Sequence, residues 1–310
     1  MSIPKHAAFS ILGDSISTLD GFIPQDWRCH YQREVHIPGI IEPADTWWGQ
    51  VIEHFEGHLL SNASFSGSVV QGYGFPAATS PKRIEALLGP DGQQPDVVLF
   101  FMGVNDYGWG GGRNQVMGRS LSATARPEDI PGSKEVLTTV GAPDLELFEK
   151  AYAQVLAGIH SIAPQADIWC VTLCPGTVPG ETWPNFCWSV RGLELDDYNQ
   201  AIRRAALAAG AHVADIRAFE RDYDAVDSTH PTALGMRQLA QMVISQMEGQ
   251  VLAAADTASD PQVDQLLASA RQSTRACFEQ SCAGCTFANI TPHNWSLHCS
   301  KFAPLGATKK

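Results

Sequence analysis

Residues 9–17 of the chain read Phe-Ser-Ile-Leu-Gly-Asp-Ser-Ile-Ser, and the interpretation of the remaining sequence starts from this stretch. The first four residues have the apolar character of a short buried strand, and Gly13 begins a turn directly after it. Ser15 therefore follows the end of a predicted strand, where its side chain can be exposed as a nucleophile. Because a serine hydroxyl is a weak nucleophile by itself, the chain must also provide a base, a group that orients the base, and donors for an oxyanion.

The composition indicates a globular protein and excludes two classes of partner. Of the 310 residues, 44% are hydrophobic and 17% are charged, which is typical of a chain with a large core. The net charge of −12 repels phosphate backbones, so nucleic acid is not expected as a partner. No apolar stretch approaches the roughly 20 residues of a membrane span, and no signal peptide is visible, which predicts a cytoplasmic protein.

Strand-like and helix-like segments alternate along the chain. The predicted strands are residues 9–12, 59–63, 97–102, 168–173 and 212–216. The predicted helices are residues 46–56, 82–88, 145–162, 197–209 and 232–247. This alternation predicts an α/β fold in which helices cover both faces of a five-stranded parallel sheet. The active site of such a sheet lies at the carboxyl ends of its strands.

Two segments interrupt this alternation. Residues 107–143 contain several glycines and prolines, and a loop of this length is typical of a lid or a substrate wall. A surface insertion is the alternative. Residues 253–262 are rich in Ala, Asp and Ser, which predicts a boundary between a main domain, residues 1–250, and a linker with a small C-terminal appendage, residues 251–310.

His230 and Asp227 are the predicted base and the group that orients it. They lie three residues apart after the fifth predicted strand, so one turn can place the carboxylate at one ring nitrogen while the other nitrogen faces Ser15. A histidine held in this way accepts the serine proton and returns it to the leaving group. Most histidines are structural, but His230 is distinguished by lying at the same predicted sheet edge as Ser15.

Asn105 and Gly67 are the predicted oxyanion donors. Asn105 follows the third strand, where its side-chain amide can point at the oxyanion. Gly67 follows the second strand, and because it has no Cβ its backbone N–H can approach a substrate closely. Asp106 is expected to form a turn or to anchor Asn105. The dipeptides Asn105-Asp106 and Ser66-Gly67 are each common in ordinary turns. Their order at successive strand ends, however, predicts an active site.

These residues resemble the sequence blocks of the SGNH hydrolases, also called GDSL esterases or lipases. The matching positions are Gly13-Asp14-Ser15, Gly67, Gly103-Val104-Asn105-Asp106 and Asp227-Ser228-Thr229-His230. The resemblance covers about residues 8–248. It implies a flavodoxin-like three-layer α/β/α sandwich and a catalytic triad of Ser15, His230 and Asp227. It also implies an oxyanion hole made by Ser15, Gly67 and Asn105, supported by Asp14 and Asp106.

One related class can be excluded. In α/β-hydrolases the nucleophile lies in a Gly-x-Ser-x-Gly elbow, and Ser17 occupies the place of the second glycine. The acid and the histidine of that class also lie on separate loops, whereas Asp227 and His230 share one. The resemblance to the SGNH hydrolases implies hydrolysis of a small acyl ester by a serine esterase, through an acyl-enzyme intermediate and without a catalytic cofactor.

The identity of the substrate is less strongly indicated. Trp109, Trp183, Phe186 and Trp188 lie in predicted loops, where they favour an acetyl or short acyl ester of a carbohydrate-like alcohol or simply anchor the loops. Since family members also cleave thioesters and lipids, acyl-thioesterase and lysophospholipase activities are alternatives. A catalytically silent domain that binds a partner through its C-terminal segment is a further alternative, although the intact catalytic set argues against it.

The C-terminal appendage contains a cluster of potential metal ligands. The predicted zinc ligands are Cys277, Cys282, Cys285, His298 and Cys299. Their spacing is typical of structural zinc sites, and such a small segment has too little core to fold alone. Unliganded thiols, disulfides and an iron–sulfur arrangement are the alternatives, and the choice of ligands among these five residues and His293 stays open.

Overall fold

The computed structural model describes residues 3–32, 39–72, 74–109, 142–177, 193–226 and 229–249. Strands and helices alternate through these ranges. In chain order they are β1 (Ala8–Gly13), α1 (Trp47–His54), β2 (His58–Asn62), α2 (Pro81–Glu85), β3 (Val97–Phe101), α3 (Val104–Trp109), α4 (Ala142–Ile162), β4 (Asp167–Val171), β5 (Gly176–Thr177), α5 (Leu195–Ala208), β6 (His212–Ala214), β7 (Tyr223–Asp224) and α6 (Ala233–Glu248).

Five parallel strands form the central sheet in the order β2-β1-β3-β4-β6. β1 and β3 pair from Phe9 opposite Val97 to Gly13 opposite Phe101. Every residue of these two strands is buried, as expected for a parallel sheet with both faces covered. Because all five strands run in the same direction, their carboxyl ends meet at one edge.

Helices flank the sheet in a three-layer arrangement. α1 packs against α6, and α4 packs against α2 and α5. The first turns are capped by side chains, since the hydroxyls of Thr46 and Thr232 accept backbone N–H groups at the starts of α1 and α6. α6 ends at Glu248 and is followed by Gly249, whose φ of 66° is the left-handed conformation common after a helix. The predicted three-layer α/β fold is therefore confirmed.

Trp47 and Trp48 at the start of α1 contribute to the core beneath the end of β1. Both are fully buried. Their indole N–H groups donate to Ser17, to Oγ at 3.2 Å and to the carbonyl oxygen at 3.0 Å. These contacts fix the chain just after β1, so the pair has a packing role.

The structure differs from the sequence-based expectations in two places. β5 and β7 form a small parallel sheet that was not predicted. Helix α3 includes residues 107–109, and α4 begins at Ala142, so both ends of the predicted loop are helical. Residues 110–141 and the C-terminal segment 251–310 lie outside the described residues, and the lid and the appendage stay predictions.

The described ranges also test the expectation about membrane spans. Within them, no helix combines the length and the apolar character that a membrane-spanning segment requires. Cys29, Cys170 and Cys174 are free thiols, and Cys170 is fully buried in β4.

Arg83 is a fully buried cation on α2. Its guanidinium donates hydrogen bonds to the carbonyl oxygens of Gly13, Ala63 and Pro76, at 2.7, 2.8 and 2.6 Å. Burial lowers the pKa of Arg83 to about 9, while the nearby charge of Asp14 acts in the opposite direction. Because these carbonyls belong to the end of β1, the residue after β2 and the loop before α2, one side chain fixes three segments.

We expect Arg83→Lys to lower the free energy of unfolding by about 3 kcal/mol, measured by urea denaturation. Lysine lacks the planar fork that reaches several carbonyls at once, and each buried acceptor left unsatisfied costs about 1–3 kcal/mol. Arg204→Lys is the matched control, since Arg204 is exposed and pairs with Glu149 at the surface; its effect should stay below about 0.5 kcal/mol. Equal effects of the two substitutions would contradict this account of Arg83.

Candidate active site

Ser15 opens a short 3₁₀ turn, Ser15–Ser17, directly after β1. Asp14 holds the start of the turn, because its Oδ1 accepts the backbone N–H of Ile16 at 3.0 Å. Thr18 holds its end, because its hydroxyl donates to the carbonyl oxygen of Ser15 at 3.0 Å. Only 3% of Ser15 is exposed. The surrounding hydrogen bonds therefore fix the backbone that carries the hydroxyl.

His230 lies beside this turn, on the loop between β7 and α6. Its Nε2 is 2.9 Å from Ser15 Oγ, which is a hydrogen-bond distance. The loop is held by its own backbone, since Val226 N–H donates to the carbonyl oxygen of His230 at 2.9 Å. The hydroxyl of Tyr223 donates to the carbonyl oxygen of Thr229 at 2.6 Å. The imidazole is thus carried by a loop with bonds on both sides of it.

The structure therefore brings together two of the three residues predicted for the triad. Asp227 lies outside the described residues, and its role stays a prediction. A hydroxyl bonded to an imidazole nitrogen can pass its proton to that nitrogen and become a nucleophile. The pair of Ser15 and His230 is arranged for this chemistry.

Gly67 is the third residue of a turn that is closed by a 3.1 Å hydrogen bond from Ser68 N–H to the carbonyl oxygen of Phe65. Its φ of 77° lies in the left-handed region, which explains why the position is a glycine. A Cβ at Gly67 would lie 3.6 Å from Nη1 of Arg28. The turn is tied to β1, because Phe65 N–H donates to the carbonyl oxygen of Gly13 at 3.1 Å.

Asn105 and Asp106 on α3 hold the segment that follows Gly67. Asn105 Nδ2 donates to the carbonyl oxygen of Ser68 at 2.9 Å. The carboxylate of Asp106 accepts the backbone N–H groups of Val70 and Gln71, at 2.8 and 3.1 Å. Asp106 therefore binds a neighbouring loop, which differs from the expected turn or anchor for Asn105. Asn105 Nδ2 carries a second hydrogen besides the one that it donates to Ser68.

Two buried carboxyl groups contribute to the electrostatics of the site. Burial raises the pKa of Asp106 to about 7. Burial also raises the pKa of Asp14 to about 6, and this increase is limited by the N–H of Ile16 and by the charges of His230 and Arg83. Both carboxyl groups therefore hold a proton more tightly in the folded chain than an exposed aspartate does.

The raised pKa of Asp106 predicts a specific pH dependence of stability. Burial raises this pKa from 3.8 to about 7, so the folded chain binds the proton more tightly than the unfolded chain. The resulting contribution to stability is complete below pH about 4 and is lost as the pH rises through about 7. Asp106→Asn cannot ionise, so between pH 5 and 8 its free energy of unfolding should fall less than that of the wild type.

Urea denaturation at both pH values measures this difference. Glu85→Ala is the control, because it removes an exposed carboxylate and should keep the wild-type pH dependence. If the free energies of unfolding of wild type and Asp106→Asn fell by the same amount between the two pH values, the raised pKa of Asp106 would be contradicted.

Several residues of the site were not found from the sequence. The ring of His30 is stacked on that of His230, and the hydroxyl of Tyr31 donates to the carbonyl oxygen of Pro231 at 3.0 Å. No sequence signal connects residues about 200 positions apart. The sequence contains one weak indication that Arg83 faces the core. Arg83 lies four residues before Leu87, which is buried, and this spacing places two residues on the same face of a helix.

The predicted zinc ligands are not part of this arrangement. Cys277, Cys282, Cys285, His298 and Cys299 all lie outside the described residues. Within the described part of the chain, no three His, Cys, Asp or Glu side chains are grouped so that they could hold a metal ion. The zinc site therefore stays a prediction about the C-terminal segment.

Comparison with known proteins relates the chain to one family and to several solved structures. Residues 11–238 match the GDSL-like lipase/acylhydrolase family. No curated protein sequence matches the chain. A crystal structure described as a GDSL-like lipase from Bacteroides ovatus has a TM-score of 0.51 and 19% identity, and the match covers 80% of this chain and 100% of that one. This likeness shows a shared fold.

Two further solved structures are less similar. One is described as a GDSL-like lipase from Bacteroides uniformis, with a TM-score of 0.48 and 22% identity over 79% of this chain and 94% of that one. The other is phospholipase A1 from Streptomyces albidoflavus, with a TM-score of 0.47 and 15% identity over 79% of this chain and 100% of that one.

Proposed function

The chain belongs to the GDSL-like lipase/acylhydrolase family, and on that premise we propose that it hydrolyses carboxylic esters with Ser15 as the nucleophile. The observation that carries this proposal is the 2.9 Å distance between Ser15 Oγ and His230 Nε2. The hydroxyl is within reach of a general base without any rearrangement. Asp227 is the proposed acid that orients His230 from its other ring nitrogen.

In the proposed acylation step, Ser15 Oγ attacks the ester carbonyl while His230 Nε2 takes the hydroxyl proton. The carbonyl electron pair moves onto oxygen and gives a tetrahedral oxyanion. Collapse of this intermediate breaks the bond to the alcohol, which leaves with the proton from His230, and the acyl group stays on Ser15. Water then attacks the acyl-enzyme by the same route.

The proposed oxyanion hole consists of the backbone N–H groups of Ser15 and Gly67 and the side-chain amide of Asn105. Asn105 already donates one hydrogen to Ser68, and this bond orients the amide before substrate arrives. Donors fixed in advance stabilise the transition state without reorganisation. The bonds from Asp106 to the segment after Gly67 support the same arrangement.

We expect Asn105→Ala to lower kcat by about 100- to 1000-fold, which is the usual effect of removing one oxyanion donor. KM should change much less, because the donor acts on charge that develops in the transition state. Steady-state kinetics with a p-nitrophenyl ester measures both constants. A variant that loses affinity but keeps kcat would contradict the proposed role of Asn105.

The proposed substrate is an acetyl or other short acyl ester of a polar, carbohydrate-like alcohol. Support comes from a cluster of half-buried rings beside the Gly67 turn. Trp27 lies 6.0 Å from Phe65 and 5.1 Å from Phe75, measured between ring centroids. Phe65 is itself the first residue of that turn. Half-buried aromatic rings beside this turn are suited to packing against a sugar or a small acyl group.

The test is hydrolysis of p-nitrophenyl acetate, butyrate and octanoate, an acetylated xyloside and an acetyl thioester. Wild type should cleave the acetyl esters fastest, and Ser15→Ala should be slower by about 10,000-fold or more. Ser161→Ala is the matched control, because this exposed helix serine bonds only its own helix, and it should have wild-type activity.

Each other result has a definite meaning. Preference for the thioester or for octanoate would replace the proposed substrate with the thioesterase or lipase alternative. Wild type that cleaves none of the five substrates would favour the silent binding domain. Equal activity of wild type and Ser15→Ala would exclude Ser15 as the nucleophile.

A further inference from the structure

The rings of His30 and His230 are stacked face to face. Their centroids are 3.6 Å apart, and their planes differ by only 12°. Aromatic pairs in proteins more often meet edge to face or at larger offsets, with centroids about 4.5–7 Å apart. So close a contact covers one whole face of the His230 ring. The edge of the ring that carries Nε2 is not covered and points at Ser15 Oγ, 2.9 Å away.

His30 is itself held by the turn that carries Ser15. Its backbone N–H donates to Thr18 Oγ1 at 2.9 Å, and Thr18 Oγ1 donates to the carbonyl oxygen of Ser15 at 3.0 Å. The ring also meets the edge of Tyr31, with centroids 4.9 Å apart and planes at 82°. The position of the His30 ring is therefore defined relative to Ser15 through two consecutive hydrogen bonds.

The next residue contacts the loop of His230. The hydroxyl of Tyr31 donates to the carbonyl oxygen of Pro231 at 3.0 Å, and both side chain and loop are buried there. Residues 30 and 31 thus touch the His230 loop twice, once at the ring and once at the backbone. Together with the bond to Thr18, they connect the nucleophile turn to the base.

We propose that His30 is a positioning residue that fixes the plane of the His230 ring, so that Nε2 stays aligned with Ser15 Oγ through both proton transfers. The inference rests on the proposed function, in which His230 first accepts and then returns a proton. A ring free to turn about its Cβ–Cγ bond would carry Nε2 away from the serine. The stacked face of His30 blocks this rotation, whereas an acid at the other ring nitrogen restrains only one edge.

The same stack has an electrostatic role. When His230 takes the serine proton it becomes an imidazolium, and an aromatic face next to a cation is a favourable contact. This contact also excludes water from that face of the ring. A planar aromatic side chain at position 30 should therefore suffice, whether or not it can titrate.

Three variants test the proposal with p-nitrophenyl acetate. His30→Ala should lower kcat by about 10- to 100-fold, because small errors in the position of a catalytic group have effects of this size, while KM changes less than about threefold. His30→Phe restores a flat ring and should return kcat to within about threefold of wild type. His54→Ala is the matched control, since His54 is an exposed histidine paired with Glu248, and it should leave kcat unchanged.

A second measurement separates misfolding from misalignment. Titration with an organophosphate counts the sites that can be acylated in each preparation. In His30→Ala we expect the wild-type number of sites, each labelled more slowly. An unchanged kcat in His30→Ala would overturn the proposal, as would His30→Phe no faster than His30→Ala. A decrease in kcat that is explained entirely by fewer titratable sites would also overturn the proposal, since such a decrease would reflect a folding defect.

The two proposals fail in different ways. Full activity in Ser15→Ala would overturn the serine mechanism and with it the role of His30. An inactive Ser15→Ala together with a fully active His30→Ala would overturn only the role of His30.

Discussion

The guanidinium of Arg83 is the interaction on which the edge of the sheet depends. A buried cation is tolerated only when its donors are satisfied, and here the carbonyl oxygens of Gly13, Ala63 and Pro76 satisfy them. Gly13 is the last residue of β1, Ala63 directly follows the adjacent strand β2, and Ser15 follows Gly13 by two residues. The backbone that carries Ser15 is therefore fixed by a hydrogen-bonding requirement of the core.

The same principle recurs across the site. Asp106, Asn105 and Thr18 each hold a backbone group of a neighbouring segment through hydrogen bonds that are buried or partly buried. Groups fixed in this way need no rearrangement when charge develops during a reaction. The arrangement also destabilises the folded chain at neutral pH, because burial raises the pKa of both Asp14 and Asp106. Loss of stability in exchange for a fixed polar site is a common feature of enzymes.

Much of this architecture could be predicted from the sequence, for a geometric reason. Apolar runs alternating with helical periods require a parallel sheet, and a parallel sheet brings the carboxyl ends of its strands together. All five predicted strands and all five predicted helices are present, with ends displaced by at most three residues. The proximity of Ser15 and His230, 215 residues apart, follows from that topology and not from any local pattern.

Other contacts could not be predicted because they depend on how loops fold against one another. The stack of His30 on His230 requires the conformation of two segments that share no periodicity. Asp106 follows a strand end, as the sequence indicates, yet its partners Val70 and Gln71 are set by the path of another loop. The small sheet of Gly176–Thr177 and Tyr223–Asp224 has two residues in each strand, too few for a recognisable pattern.

The central claim is that Ser15 forms a covalent acyl intermediate, and the most direct test is to trap that intermediate. The wild-type chain is treated with a fluorophosphonate, and the adduct is located by intact-mass measurement and peptide mapping. The account predicts one adduct per chain, on Ser15, and no adduct in His230→Ala over the same time, because the hydroxyl then lacks its base. Labelling at a different residue, or equal labelling of Ser15 in His230→Ala, would contradict it.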